Sequence, residues 1–287
     1  MLKVGFLGPK GTFSQEALNE YLKEHLKSGR DYAAYEYNTI PDLISAVQSG
    51  ELDEAVAPIE NSLEGAVNVT LDMMASEVDL KIKAEVIIPI VENLLVRKGT
   101  KPEDIKFILS HPQAVGQCRK FINTHYPDAV IKYMYSTAEA AELVAKGGND
   151  SAAIGSAAAA EVYDLDILAH GIQDGGNNLT RFVVIAREDS EKTGNDKTSI
   201  VFSTEDKPGS LYRILDIFNL WDINMTRIES RPAKNELGRY IFFVDICGHR
   251  DDEDIRNALM MVKRKTSFFK FLGSYPRSAR PAAETGH

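Results

Sequence analysis

Thiols are scarce in this chain. Cys118 and Cys247 are the only two among 287 residues, and they stand far apart with no CxxC pair or Cys/His cluster. That argues against a disulfide framework and against a structural zinc site. Runs of positive charge are also missing. With 33 Lys and Arg against 42 Asp and Glu, the formal net charge is −9, so neither a nucleic acid nor an anionic membrane is expected as a partner. No apolar stretch approaches the length of a membrane span. Residues 1–6 read directly as a strand, without the basic segment and apolar core of a secretory signal. A reducing cytoplasm is the expected setting. There is no phosphate-loop pattern, dinucleotide fingerprint or metal-ligand cluster, so no cofactor and no metal are expected.

What is present is ordinary for a globular chain: 44% hydrophobic and 26% charged residues, in a length suited to two or three domains. Strand and helix patterns alternate to about residue 187. Strands are predicted at 3–7, 54–58, 105–109 and 152–154, with one or two more over 85–97, where Pro89 marks a bend or an edge. Helices are predicted at 14–27, 42–49, 67–75, 112–124, 138–146 and 156–163. The alternation predicts a mostly parallel sheet covered by helices. Residues 188–197 lack an apolar face and read as a linker. Beyond them come a strand at 198–203, a helix at 209–220, strands at 223–231 and 239–246 joined by an Asn/Gly turn, a helix at 252–265 and a strand at 268–275. That order, βαββαβ, is the split ferredoxin-like unit. Residues 277–287 read as a flexible tail.

Chemistry collects at the ends of the predicted strands, where open α/β sheets keep their ligand groups. Leu179-Thr180-Arg181-Phe182 opens an apolar run after a polar loop, 173–178. A hydroxyl and a guanidinium at that mouth suit proton donation and anion binding better than base catalysis. Gly8-Pro9-Lys10-Gly11-Thr12-Phe13-Ser14 is either a loop aiming amides at an anion or a tight turn capped by Thr12 or Ser14. Glu60, Asn61 and Ser62 directly follow a buried strand. Ser110-His111-Pro112 starts a helix that carries Gln117, and His111 reads as a cap or a packed side chain rather than a base.

Taken in order, GPKGTFS, PIENSLEG, SHPQAVGQC and NLTRF resemble the prephenate dehydratase family. GSLY at 209–212 and ESRP at 229–232 resemble that family's regulatory ACT domain. The resemblance runs from residue 3 to about 275. The helical chorismate mutase segment of some members is not seen ahead of the first strand, so the monofunctional form is expected. The resemblance implies an α/β fold: a two-lobed catalytic domain over 1–187, similar to type II periplasmic-binding proteins, then a linker at 188–197 and a ferredoxin-like ACT domain at 198–276. Lobe one would occupy about 1–79 and 166–187, and lobe two about 80–165.

The implied reaction is a lyase step of phenylalanine biosynthesis, from prephenate to phenylpyruvate, water and carbon dioxide. Thr180 would assist hydroxyl departure, giving its own proton or passing on one from Glu60. Asn61 and Gln117 complete the implied catalytic set. Thr12, Ser14, Ser62, Ser110 and Phe182 would hold the substrate. Arg181 would anchor a carboxylate or, on the alternative reading, tie the two lobes together as a salt bridge. L-Phenylalanine would bind between the ACT domains of a homodimer and feed back on activity. Gly209, Ser210, Leu211, Asn224, Glu229, Ser230, Arg231 and Pro232 would line that pocket, and a tetramer is the larger assembly expected.

These residue types fit the reaction. The ring hydroxyl leaves poorly and needs a donor. The departing carboxylate needs no base and benefits from a site poor in cations. Arogenate, which carries an amino group in place of the side-chain keto group, stays open as the substrate. A non-catalytic two-lobed binding module with an ACT sensor also stays open.

Overall fold

Three β-sheets organise the computed structural model, which describes residues 1–26, 31–176, 178–233 and 240–278. The first lobe contains β1 (Leu2–Leu7), α1 (Phe13–Leu26), β2 (Tyr32–Tyr37), α2 (Ile40–Ser49), β3 (Glu54–Asn61), the short β4 (Gly65–Ala66), α3 (Asn68–Asp72) and β5 (Lys81–Pro89). The second holds β6 (Asn93–Val96), β7 (Phe107–Ser110), α4 (Pro112–Gln117), α5 (Arg119–His125), β8 (Val130–Tyr133), α6 (Thr137–Lys146), β9 (Ser151–Gly155), α7 (Ala157–Tyr163) and β10 (Asp166–Ala169). The chain then returns to the first lobe as β11 (Leu179–Ala186).

The first sheet runs β2-β1-β3-β11-β5, and the second β10-β6-β9-β7-β8. β1 is parallel to β2 and β3, but the returning β11 is antiparallel to both its neighbours. Both sheets are therefore mixed, not mostly parallel as expected. The crossings also differ from expectation. β5 belongs to the first sheet and β10 to the second, so the lobes exchange near 90–92 and 170–178 rather than near 80 and 165.

Alternation along β11 decides what lies where. Phe182 and Val184 pack with α1 residues Ala17, Leu18 and Leu22, whereas Val183 and Ile185 join a different core on the opposite face. That second core includes Val201, Phe243, Leu272 and Tyr275 of the C-terminal domain.

The C-terminal domain is β12 (Asp196–Ser203), α8 (Ser210–Leu220), β13 (Met225–Pro232), β14 (Tyr240–Cys247), α9 (Glu253–Lys265) and β15 (Phe268–Pro276), the βαββαβ order expected. Its antiparallel sheet runs β13-β14-β12-β15. α8 and α9 cover one face, and the first lobe covers the other. β12 is consequently buried along its whole length. A Cβ on Gly273, at φ 140, would overlap the Ile82 carbonyl oxygen of β5, so the domains approach there only through glycine.

The segment read as a linker is tied down. Ser190 Oγ donates to the Lys83 carbonyl at 2.7 Å, Asp189 accepts from the Ser274 amide at 3.1 Å, and Asp196 and Lys197 lie within β12. Its charges find partners in the seam between domains, which a polarity pattern along the chain does not reveal. Lys27, the Asn/Gly turn at 234–239 and residues 279–287 of the expected tail lie outside the described residues. Among the described residues no helix is long and apolar enough to cross a membrane.

Candidate active site

A cleft of about 450 Å³ lies between the lobes. At its floor Thr180 stands directly opposite Asn61 of β3 and Ile88 of β5, so Thr180 and Asn61 present to the same face. Asn61 Nδ2 donates to Thr180 Oγ1 at 2.8 Å and to Asn178 Oδ1 at 2.7 Å. Asn178 Nδ2 in turn donates to Gln117 Oε1 at 3.0 Å, which carries the chain of amides from the first lobe to α4 of the second. Asn61 Oδ1 accepts from the Leu63 and Glu64 amides at 2.9 and 3.1 Å, and this fixes which way the amide points. Because Thr180 Oγ1 accepts from Asn61, its own proton is left to donate. Asn178 is a site residue the sequence reading missed; its place immediately ahead of the Leu179-Thr180 strand is the signal that could have found it.

Thr12, Ser14 and Phe182 line the same cleft, as do Asn61, Gln117 and Thr180. The glycine loop before them is committed elsewhere. The Gly11 amide donates to Gln15 Oε1 at 2.6 Å, and its carbonyl accepts from Ser156 Oγ at 2.8 Å. A Cβ at Gly11, φ 83, would stand 2.9 Å from Ala159 Cα of α7. The loop is thus a contact between lobes, not an open cradle of amides. His111 caps α4, its ring nitrogen accepting from the Gln113 amide at 3.3 Å. Among the described residues lining the cleft there is no lysine or arginine. Helix N-termini, at Ser14 of α1 and at Ser136 and Thr137 of α6, are what the cleft offers an anion.

Four expectations require correction, and strand alternation explains two of them. Arg181 and Glu60 lie one residue from Thr180 and Asn61 and therefore point to the opposite face. Arg181 pairs with Glu85 at 2.7 Å and Asp245 at 2.6 Å, and donates to Tyr275 Oη at 2.8 Å. Burial works against its charge, but Asp245, Tyr275 and Glu85 outweigh it and hold its pKa well above normal. Burial likewise penalises the Asp245 carboxylate; Arg181, Arg227, a Ser199 hydrogen bond and Lys197 overcome this and lower its pKa. Arg181 is therefore a strut between the first lobe and the C-terminal domain. It neither anchors a carboxylate in the cleft nor ties the two lobes together. Glu60 faces Arg227 at 3.3 Å and Arg181 at 3.7 Å, and cannot serve Thr180 as a proton source from there. Ser62 Oγ accepts from the Leu179 amide at 2.9 Å and lines the seam between domains, not the cleft. Ser110 is fully buried, donating to the Ile154 carbonyl at 2.8 Å as a pin between β7 and β9.

A carboxyl that the sequence reading passed over does face the cleft. Glu92 is 3% exposed, and its Oε2 is buried with no hydrogen-bond partner among the described residues. Burial, reinforced by Glu16, pushes its pKa from 4.5 up to about 7. The signal was a lone acid in the apolar run Ile87-Ile88-Pro89-Ile90-Val91-Glu92. A carboxyl whose pKa rises on folding contributes stability in full below its unfolded value, and that contribution is lost as pH rises through about 7. At about 1.4 kcal/mol per pH unit the loss is about 3 kcal/mol. Glu92→Gln is therefore expected to be more stable than the wild type by about 2–3 kcal/mol in urea melts at about pH 8, and nearly equal to it at about pH 4. A constant difference across that range would contradict a neutral buried Glu92.

The C-terminal domain has its own cavity, about 340 Å³, lined by Gly209, Ser210 and Leu211 with Tyr240 and Phe242. Gly209, at φ 79, starts α8 without a side-chain cap. Asn224, Glu229, Ser230, Arg231 and Pro232 do not line this cavity within one chain. Arg231 turns to the first lobe, pairing with Asp72 at 2.9 Å and donating to Asn68, so it too is a strut. Glu229, Ser230 and Pro232 lie along β13, an edge strand of the sheet, and Asn224 immediately precedes it.

The family model described as prephenate dehydratase matches residues 4–190, and that of the ACT domain matches 198–260. The bifunctional chorismate mutase/prephenate dehydratase of Aquifex aeolicus is 42% identical over 277 residues, 96% of this chain and 74% of that protein. A prephenate dehydratase of Mycobacterium bovis is 38% identical over 289 residues, 99% of this chain and 90% of that one. The crystal structure of a prephenate dehydratase in complex with L-Phe from Arthrobacter aurescens superposes with a TM-score of 0.86 at 37% identity, over 96% of this chain and 90% of that chain.

Proposed function

The chain belongs to the prephenate dehydratase family, and on that premise we propose how its cleft dehydrates prephenate and how its ACT domain governs the step. The enzyme is a carbon–oxygen lyase of phenylalanine biosynthesis. Prephenate lies in the cleft with its ring hydroxyl against Thr180 Oγ1. The observation that carries this reading is the bond from Asn61 Nδ2 to Thr180 Oγ1, which leaves the threonine proton directed to the leaving oxygen. The α1 and α6 N-termini receive the side-chain carboxylate. With no lysine or arginine among the described residues of the cleft wall, the ring carboxylate is poorly stabilised and is readily lost as carbon dioxide. Incubation with prephenate and, separately, with arogenate tests the substrate. Phenylpyruvate is expected from the first faster than phenylalanine from the second; the opposite order would make the enzyme an arogenate dehydratase.

The relative solved with L-Phe supports reading the Gly209–Ser210–Leu211 cavity as the phenylalanine site. The uncapped start of α8 offers amides to the amino acid's carboxylate, and Leu211 and Phe242 offer apolar cover to its ring. L-Phenylalanine is expected to lower activity. For Gly209→Val, a β-branched residue forced to φ 79, its potency should fall by about tenfold or more. Unchanged potency would place the effector elsewhere. The edge of β13 supports pairing of ACT domains into a homodimer, with a tetramer as the larger assembly. Free thiols at Cys118 and Cys247 support a cytoplasmic setting.

A further inference from the structure

We propose that Glu92 is the acid that supplies the proton consumed in each turnover, delivering it to the departing ring hydroxyl on the Thr180 side of the cleft. This rests on the reading of the cleft as the dehydration site. The balance of the reaction requires such a group. Prephenate is a dianion, whereas the products are the phenylpyruvate monoanion, water and neutral carbon dioxide. The ring carbon–oxygen bond breaks with its electron pair going to oxygen. The bond to the ring carboxylate breaks with its pair entering the ring, which becomes aromatic. The leaving oxygen becomes water only if one proton arrives.

Thr180 can relay that proton but is a poor source, because an alcohol is far too weak an acid at neutral pH. Among the described residues, the ionisable side chains along the cleft are Glu64, Glu92, His111 and Tyr135. Glu64 is exposed, and Tyr135 is 94% exposed. His111 already spends one ring nitrogen on the Gln113 amide. Glu92 alone among them combines burial with an unpartnered oxygen. Its position follows from the strand pattern: Ile88 stands opposite Thr180, the Ile90 amide donates to the Asn178 carbonyl at 2.8 Å, and Ile90 and Glu92 line the cleft with Thr180.

Glu92's surroundings favour the protonated form. Glu16 of α1 repels a second negative charge, and Cys118 between α4 and α5, itself beside Asp174, adds no cation. Burying an ionised carboxyl there is costly, which accords with the upward shift. The bound dianion raises proton affinity further. After transfer Glu92 is a carboxylate, and it regains a proton from water once the products leave.

Glu92→Gln keeps the size and hydrogen bonding of the side chain but has no proton to give. It is expected to lower kcat by about 10²–10⁴-fold with KM within a few-fold of wild type. In the wild type kcat/KM should fall as pH rises through about 7, and in the variant that limb should be absent. A merely structural role would alter stability but not the limb. An infrared titration of the wild-type chain gives a second readout: a protonated carboxyl band lost near pH 7 and missing in Glu92→Gln. Wild-type kcat in Glu92→Gln, or loss of the limb in His111→Asn instead, would overturn the proposal. If Thr180→Ala is still inactive in that case, the dehydration reading stands; a wild type inert toward prephenate would overturn that reading itself. If Glu92→Gln does not fold, a wild-type spectrum with no carboxyl titrating between about pH 6 and 8 overturns the assignment.

Discussion

Replacing Thr180 with alanine is expected to lower kcat by about 10²–10³-fold while KM moves by less than about threefold. The hydroxyl sits on a rigid strand, 7% exposed, with its acceptor side taken by Asn61 at 2.8 Å. It meets charge that develops on the leaving oxygen and is nearly absent in the ground state, so its removal raises the barrier and spares binding. Thr180→Ser, which keeps the hydroxyl, should recover most of the rate. Steady-state kinetics with prephenate check both variants. Asn61→Ala should fall in the same direction as Thr180→Ala, because it frees the threonine hydroxyl to turn.

Replacing Arg181 with alanine is expected to destabilise the protein by about 3–5 kcal/mol, because it strips a buried charge from carboxylates that remain. Glu85 would keep Lys197, at 2.8 Å, and Asp245 would keep Ser199 Oγ, at 2.5 Å, so the cost should lie in the lower half of that range. Equilibrium urea unfolding measures it. The protein that stays folded at low temperature should retain a KM close to wild type, since Arg181 faces away from the cleft. A KM raised by about tenfold or more with little loss of stability would restore Arg181 as a carboxylate anchor. The same variant should weaken the phenylalanine response. β14 carries Tyr240 and Phe242 in the cavity proposed for the effector and Asp245 against Arg181, directly behind Thr180. A double-mutant cycle between Phe242→Ala and Arg181→Ala, read on inhibition by phenylalanine, tests that coupling.

Most of the cleft was legible in the sequence, because four motifs fall at strand ends, and strand ends converge in an α/β lobe. The failures have specific causes. Thr180 and Arg181 are neighbours in the chain, and only the pairing of β11 with β3 and β5 shows that one faces the cleft and the other the C-terminal domain. Glu60 and Asn61 part company for the same reason. Ser110 looks identical, from its sequence, whether its hydroxyl meets substrate or pins the Ile154 carbonyl. Glu92 was hidden because burial, not a motif, makes it noteworthy. β2, β8 and β10 went unread because they are edge strands with half-exposed patterns and little apolar periodicity. The linker was misread because its partners, Lys83 and Ser274, are distant in sequence.

Dehydration at Thr180 in this cleft is tested most directly by following phenylpyruvate formation from prephenate with folded wild type and Thr180→Ala side by side. Wild type should release phenylpyruvate and carbon dioxide in equal amounts, and Thr180→Ala should do so about 10²–10³-fold more slowly. Equal rates from the two proteins, or a folded wild type that binds prephenate and releases nothing, would contradict it.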